Sequence, residues 1–205
     1  MKNYTSYDLI EWGKPFEKSQ HALPEPTSSE VLIRVTAAGL CHSDLHVQKG
    51  YMDLGEEGRL TFAERGAQLP MTFGHEIAGI VEAVGDKVKN VSIGQQVLVF
   101  PWIGCGDCLA CNENRESDCS AMRIIGLKQK GGFATHCLIE NEKFLVNIDG
   151  LDAAEVVPHA CSGITVYNAL EKIGFLRDGE WLAVMGCGGL GLNACLLYTS
   201  DAADE

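Results

Sequence analysis

Four cysteines fall within fifteen residues: Cys105, Cys108, Cys111 and Cys119, spaced C-x2-C-x2-C-x7-C. Four thiolates can close a tetrahedron around Zn²⁺, which takes sulfur ligands in fully occupied structural sites. The surrounding GCGDCLACNENRESDC is rich in turn formers and poor in apolar residues. Such a lobe has no core of its own, so bound metal must supply its folding energy. An iron–sulfur run of the bacterial type would close with a short third gap followed by Pro. Here that gap is seven residues and Ser120 follows. Two disulfides are the other alternative, and structural zinc is favoured over both.

A second set of reactive side chains is scattered. Cys41-His42-Ser43-Asp44-Leu45-His46 follows a strand-like run, Gly74-His75-Glu76 opens another, and Cys161 opens a helical segment. One His and two Cys from separate elements would make a Cys2His zinc site with an open fourth position, the mark of catalytic rather than structural zinc. Spacing alone does not join them, since a lone cysteine is usually a small buried hydrophobe. A third motif is Gly186-Cys187-Gly188-Gly189-Leu190-Gly191, or G-x-G-x-x-G. After the apolar run Trp181–Met185 and before helical Leu192-Asn193-Ala194, it reads as a dinucleotide turn holding a pyrophosphate on backbone N–H groups.

The positioning elements follow from pattern. Val31–Ala38 alternates and is β-branched, and His75–Val84, Gln96–Phe100 and Phe133–Ile139 read as further strands between Gly/Asp turns. Residues 23–29 read as a connector and residues 51–70 as a long surface excursion. The first ~140 residues are therefore expected to form a Greek-key, barrel-like β domain. Leu151–Val157 and Ser162–Ile173 carry helical apolar spacing. Trp181–Met185 is expected to be the opening strand of a βαβ unit.

The 205 residues carry 16 basic and 28 acidic side chains, a net charge of −12, and nine cysteines. Net acidity argues against nucleic acid and anionic membrane surfaces as partners. No apolar run reaches the ~20 residues of a membrane span. The N-terminus lacks a signal-peptide core, so a cytoplasmic location with reduced cysteines is expected.

On these motifs the chain resembles the zinc-dependent alcohol dehydrogenases of the medium-chain dehydrogenase/reductase superfamily, over residues ~25–194. Gly74-His75-Glu76-x-x-Gly79-x5-Gly85-x-x-Val88 fits that family's zinc signature, the four-cysteine lobe its structural zinc, and Cys161-Ser-Gly-Ile-Thr-Val-Tyr its third catalytic ligand. The resemblance implies a β-rich GroES-like catalytic domain over residues 1–150. Residues 151–194 would hold interdomain helices and the start of an α/β Rossmann domain. It is most similar to bacterial enzymes acting on primary alcohols and ω-hydroxy acids.

The resemblance further implies two Zn²⁺ per chain and NAD, with NADP left open because the discriminating acid would lie beyond residue 205. Cys41, His75 and Cys161 would hold the catalytic zinc, with Glu76 an occasional ligand. Asp44 would accept the free ring N–H of His75. Ser43 and His46 would relay the substrate proton, and His42 would face the cofactor pyrophosphate. Gly186, Gly188 and Gly191 would cradle that pyrophosphate, and Trp102 would line the substrate pocket. Substrates would be small alcohols or aldehydes, and the full-length form a homo-oligomer.

Residues 195–205 (CLLYTSDAADE) lose the helical pattern and match the translation of a common transposon-library sequencing adapter. They read as a non-native tail on a truncated chain, which is expected to be partly unfolded beyond Glu180 and inactive alone. A non-enzymatic, zinc-stabilised β module is the competing reading. It leaves Cys41, Ser43, His46, His75 and Cys161 unexplained. Zinc-free quinone reductases lack both cysteine sets.

Overall fold

A computed structural model describes residues 2–174 and 179–202. Its strands are β1 (Asn3–Leu9), β2 (Glu17–Ala22), β3 (Val31–Gly39), β4 (Tyr51–Asp53), β5 (Arg59–Thr61), β6 (Met71–Thr72) and β7 (Glu76–Val84). They continue as β8 (Gln96–Val99), β9 (Trp102–Ile103), β10 (Arg123–Ile124), β11 (His136–Ile139) and β12 (Leu145–Asn147). The helices are α1 (His42–Lys49), α2 (Leu109–Asn112), α3 (Ala153–Val156), α4 (Ser162–Ile173) and α5 (Gly189–Ala202).

The central sheet runs β11-β3-β7-β8-β12, and a smaller one runs β2-β1-β6. Every pairing in both is antiparallel. β3 carries Val31, Ile33 and Val35, and β7 carries Ile77 and Val81, so their inward faces meet Val97, Val99 and Ile139 in one core. Burying each such side chain contributes roughly 1.5–3 kcal/mol. A second core of Leu9, Val47, Phe62 and Phe73 lies under α1. A third, with Ala78, Ile148 and Ala160, seats the turn that leads into α4. Sheet and helices thus fix the two ends at which the reactive side chains emerge.

Several expectations change. The N-terminal segment forms the β1–β2 hairpin, whose polar outer residues hide it from a hydrophobic pattern. Residues 51–70 are a β4–β5 hairpin that buries Phe62 and Ala67, so the segment is anchored to the core. The helix expected over Leu151–Val157 is confined to Ala153–Val156 and passes into a 3-10 turn over Val157–Ala160. Pro158 has no N–H to continue α-helical bonding.

Trp181–Met185 forms no strand. Trp181 is 93% and Met185 97% exposed, and a strand requires a neighbour to pair its backbone. The helix α5 also runs through Ala202, past the point where the pattern was expected to fail. Its second half contains neither Gly nor Pro to stop it. Residues 203–205 of the expected tail lie outside the described residues. Among those described, no helix is long and apolar enough to cross a membrane.

Candidate metal centres

The strand β3 ends at Gly39, and the chain turns directly into α1 with Cys41 as its N-cap. Asp44, three residues on, accepts the Cys41 N–H on Oδ2 at 2.9 Å. Its Oδ1 lies 3.3 Å from His75 Nδ1. One buried carboxylate therefore fixes both the helix start and the imidazole, and leaves His75 Nε2 aimed at Cys41 and Ser43. His75 itself follows Gly74, which sits at φ +90° with any Cβ only 2.6 Å from the Phe133 ring. Only glycine takes that conformation in that space without strain.

Cys161 arrives from a separate element, as the N-cap of α4. Its Sγ stands 3.8 Å from Cys41 Sγ. Ser43 Oγ donates to Cys41 Sγ at 3.1 Å and lies 3.4 Å from His75 Nε2. Glu76 pairs with Gly39 across β7 and β3, and a Cβ at Gly39 would overlap the Glu76 carboxylate. The ligand atoms of Cys41, His75, Glu76 and Cys161 all lie within 4.8 Å of one another.

The electrostatics of this cluster are those of a site suited to a cation. The Cys161 thiol, then the His75 ring and the Ser43 hydroxyl, hydrogen-bond to Cys41 and hold its thiol down at about 3, against the cost of burial. Its place at a helix N-terminus also favours a thiolate. Cys161 is pushed far upward, because its proton is shared with the Cys41 thiolate and because it is buried. Burial lowers His75, but Asp44 and the Cys41 thiolate outweigh it and carry the ring to about 10. Burial, and then the Cys41 thiolate, raise Glu76 to about 7.

The second cluster is the lobe between β9 and β10. Cys108 caps α2, and Cys111 sits within it. Cys108 Sγ lies 3.5 Å and Cys105 Sγ 3.9 Å from Cys111 Sγ. The Cys105 N–H points at Cys119 Sγ from 3.3 Å. All four sulfurs lie within 4.8 Å of one another, and all are free thiols. A tetrahedron with Zn–S bonds of about 2.3 Å has S···S edges of about 3.8 Å. The lobe's separations of 3.5 and 3.9 Å bracket that edge, and the 3.8 Å between Cys41 and Cys161 matches it, so the residues present fit zinc.

Within the lobe the Cys105 and Cys111 thiols are pushed in opposite directions. Backbone N–H groups of Asp107 and Cys108 hold Cys105 down at about 6. At Cys111 the Gly106 N–H favours the thiolate, but burial and the neighbouring sulfurs push the thiol up to about 12.

The His46 ring stacks edge-on against His42, with centroids 4.8 Å apart, and the contacts of Ser43 are with Cys41 and His75. Trp102 is half-buried on β9, with its ring against Phe100 at 5.6 Å. In the glycine turn Gly186 takes φ +98°, and a Cβ at Gly191 would overlap the Gly186 carbonyl, whereas Gly188 has open space. Gly39 was not singled out from the sequence, although its place two residues before Cys41, at the end of a strand, is a usable signal of close approach. Ser162 and Asn193 carry no such signal and are recognised only through their contact.

Comparison with known proteins agrees with this geometry. The profile of the alcohol dehydrogenase GroES-like domain matches residues 27–150. An NAD-dependent alcohol dehydrogenase of Sulfurisphaera tokodaii is 41% identical over 95% of this chain and 54% of its own length. The chain thus spans about half the length of that relative. The crystal structure of the alcohol dehydrogenase from Aeropyrum pernix superposes with TM-score 0.82 at 29% identity, covering 96% of this chain and 56% of that one. A cobalt- and zinc-bound thermostable alcohol dehydrogenase from Pyrobaculum aerophilum gives TM-score 0.82 at 26% identity, over 97% and 57%. With a matching profile over more than half its residues and two thiolate clusters of zinc dimensions, this chain belongs to the alcohol dehydrogenase GroES-like domain family.

Proposed function

We propose that this chain is the metal-binding catalytic portion of a zinc-dependent alcohol dehydrogenase, passing hydride between a small primary alcohol, or ω-hydroxy acid, and NAD or NADP. The observation that carries the reading is the Cys41–His75–Cys161 cluster, which converges from three separate elements on one point. A structural module would need only the four-cysteine lobe. When bound there, zinc supplies Lewis acidity that lowers the pKa of a coordinated alcohol.

The chain's own residues do the rest. Asp44 keeps the proton of His75 on Nδ1, so that Nε2 presents a lone pair to the metal. Glu76 is a fourth donor within reach, able to hold the position that substrate would take. Ser43 Oγ, beside Cys41 Sγ, accepts the substrate proton. From there the proton passes toward His46, which lies one turn further along α1. The turn Gly186–Gly191 and the N-terminus of α5 offer N–H groups to a cofactor phosphate. Because the described residues hold one helix of a cofactor domain and Trp181–Met185 forms no strand among them, the 205-residue chain is proposed to be inactive by itself.

Metal analysis of the purified chain tests the reading. Two zincs per chain are expected, one of them lost in Cys41→Ser. A single zinc that survives Cys41→Ser would overturn the catalytic reading in favour of a structural module.

A further inference from the structure

Asn193 is a buried polar side chain, 9% exposed, on α5 directly behind the glycine turn. Burying an amide costs free energy unless its hydrogens are used. Both are used. Asn193 Nδ2 donates to Gly189 O at 3.0 Å and to Ser162 Oγ at 2.9 Å. The carbonyl partner can only accept, which fixes the nitrogen's side of the amide.

Ser162 Oγ sends its own single proton to Pro158 O at 3.0 Å. The same carbonyl accepts the Cys161 N–H at 3.2 Å, and Cys161 O accepts the Thr165 N–H at 3.0 Å. A continuous chain of hydrogen bonds therefore runs from the first turn of α5 to the backbone of Cys161. The helices it joins pack directly against one another.

We infer that Asn193 is a positioning residue that locks the glycine turn to the helix start carrying Cys161. It thereby sets where a cofactor held by the turn lies relative to the metal. Hydride transfer demands that the reacting atoms meet at ~3–3.5 Å, so a rigid link between these two sites has a direct chemical use. The inference rests on the proposed function for the roles of Cys161 and of the turn. The link itself is independent of it.

Alanine is a better helix former than asparagine. If Asn193 matters only within α5, Asn193→Ala should leave or increase amide protection there. Hydrogen exchange on the zinc-loaded 205-residue chain reads the difference. The expected result is about tenfold faster exchange, in Asn193→Ala, of amides in both Leu192–Leu197 and Ser162–Val166. Ser162→Ala should reproduce it, and the double variant should be no worse than either single one. Cobalt(II) loading adds a spectroscopic arm. The visible band of the Cys41/His75/Cys161 site should shift in Asn193→Ala, while metal stoichiometry and the band of the four-cysteine lobe stay constant and report an intact fold. Unchanged or slower exchange in both segments, or loss confined to α5, overturns the inference. One metal per chain with the coupled exchange intact would instead overturn the proposed function and leave the link standing.

Discussion

Asp44→Asn changes no volume and tests why a buried acid stands behind His75. The carboxylate accepts twice, Oδ2 from the Cys41 N–H at 2.9 Å and Oδ1 from His75 Nδ1 at 3.3 Å. An amide has one acceptor and one donor end. It can satisfy the Cys41 N–H only by turning its NH2 toward His75. The imidazole must then accept on Nδ1 and move its proton to Nε2, the nitrogen that faces Cys41 and Ser43. That tautomer cannot bind a metal through Nε2. Loss of such a carboxylate partner costs about 10–100-fold in metal affinity, or roughly 1.4–2.7 kcal/mol. The alternative, with Cys41 N–H left unpaired, would cost about 1–3 kcal/mol of fold stability instead. Zinc titration against a chromophoric chelator, run beside thermal unfolding, separates the two. The expected outcome is weakened binding of one zinc equivalent, with the second, in the four-cysteine lobe, unchanged. Wild-type affinity for both equivalents would refute the tautomer argument.

Cys111→Ser should release one metal equivalent and open residues 100–125 to protease, while the other equivalent stays bound; unchanged metal content and digestion would count against the lobe assignment. Gly39→Ala drives a methyl into the Glu76 carboxylate, and a loss of about 1–3 kcal/mol is expected in denaturant unfolding. Under the proposed function, in a version of this chain extended to the length of its relatives, Ser43→Ala should keep both metals and slow turnover by about 10²–10⁴ in steady-state assays. Asp8 supplies a pH test away from the metals. Burial raises its carboxyl, but the Thr72 hydroxyl at 2.6 Å and His21 at 3.0 Å outweigh that and hold it below the ordinary 3.8. A depressed carboxyl contributes stability that is present above its unfolded value and lost as pH falls through the folded one. Wild type should therefore exceed Asp8→Asn in stability at neutral pH, and the two should converge at the acid end of a denaturation series.

The four-cysteine lobe was legible in the sequence because all its ligands lie in one short loop, where spacing is nearly geometry. The strands β3, β7 and β8 and the helix α4 were legible because their apolar faces repeat with the period of the element that buries them. The β1–β2 hairpin was not, since its stability comes from partners elsewhere in the chain. Trp181–Met185 has the composition of a strand but no partner strand among the described residues, for strand formation belongs to a pair and not to a segment. The Cys41–His75–Cys161 site stands between these cases. Its residue types were readable, but only a family resemblance could join them, because 120 positions separate Cys41 from Cys161 along the chain. The tertiary structure brings their sulfurs to 3.8 Å through the β3–β7 register and the packing that seats the start of α4. The Asn193–Ser162 link was decided by tertiary structure alone. Neither residue type nor spacing marks it, because a buried amide acquires its role from the acceptors that packing places around it.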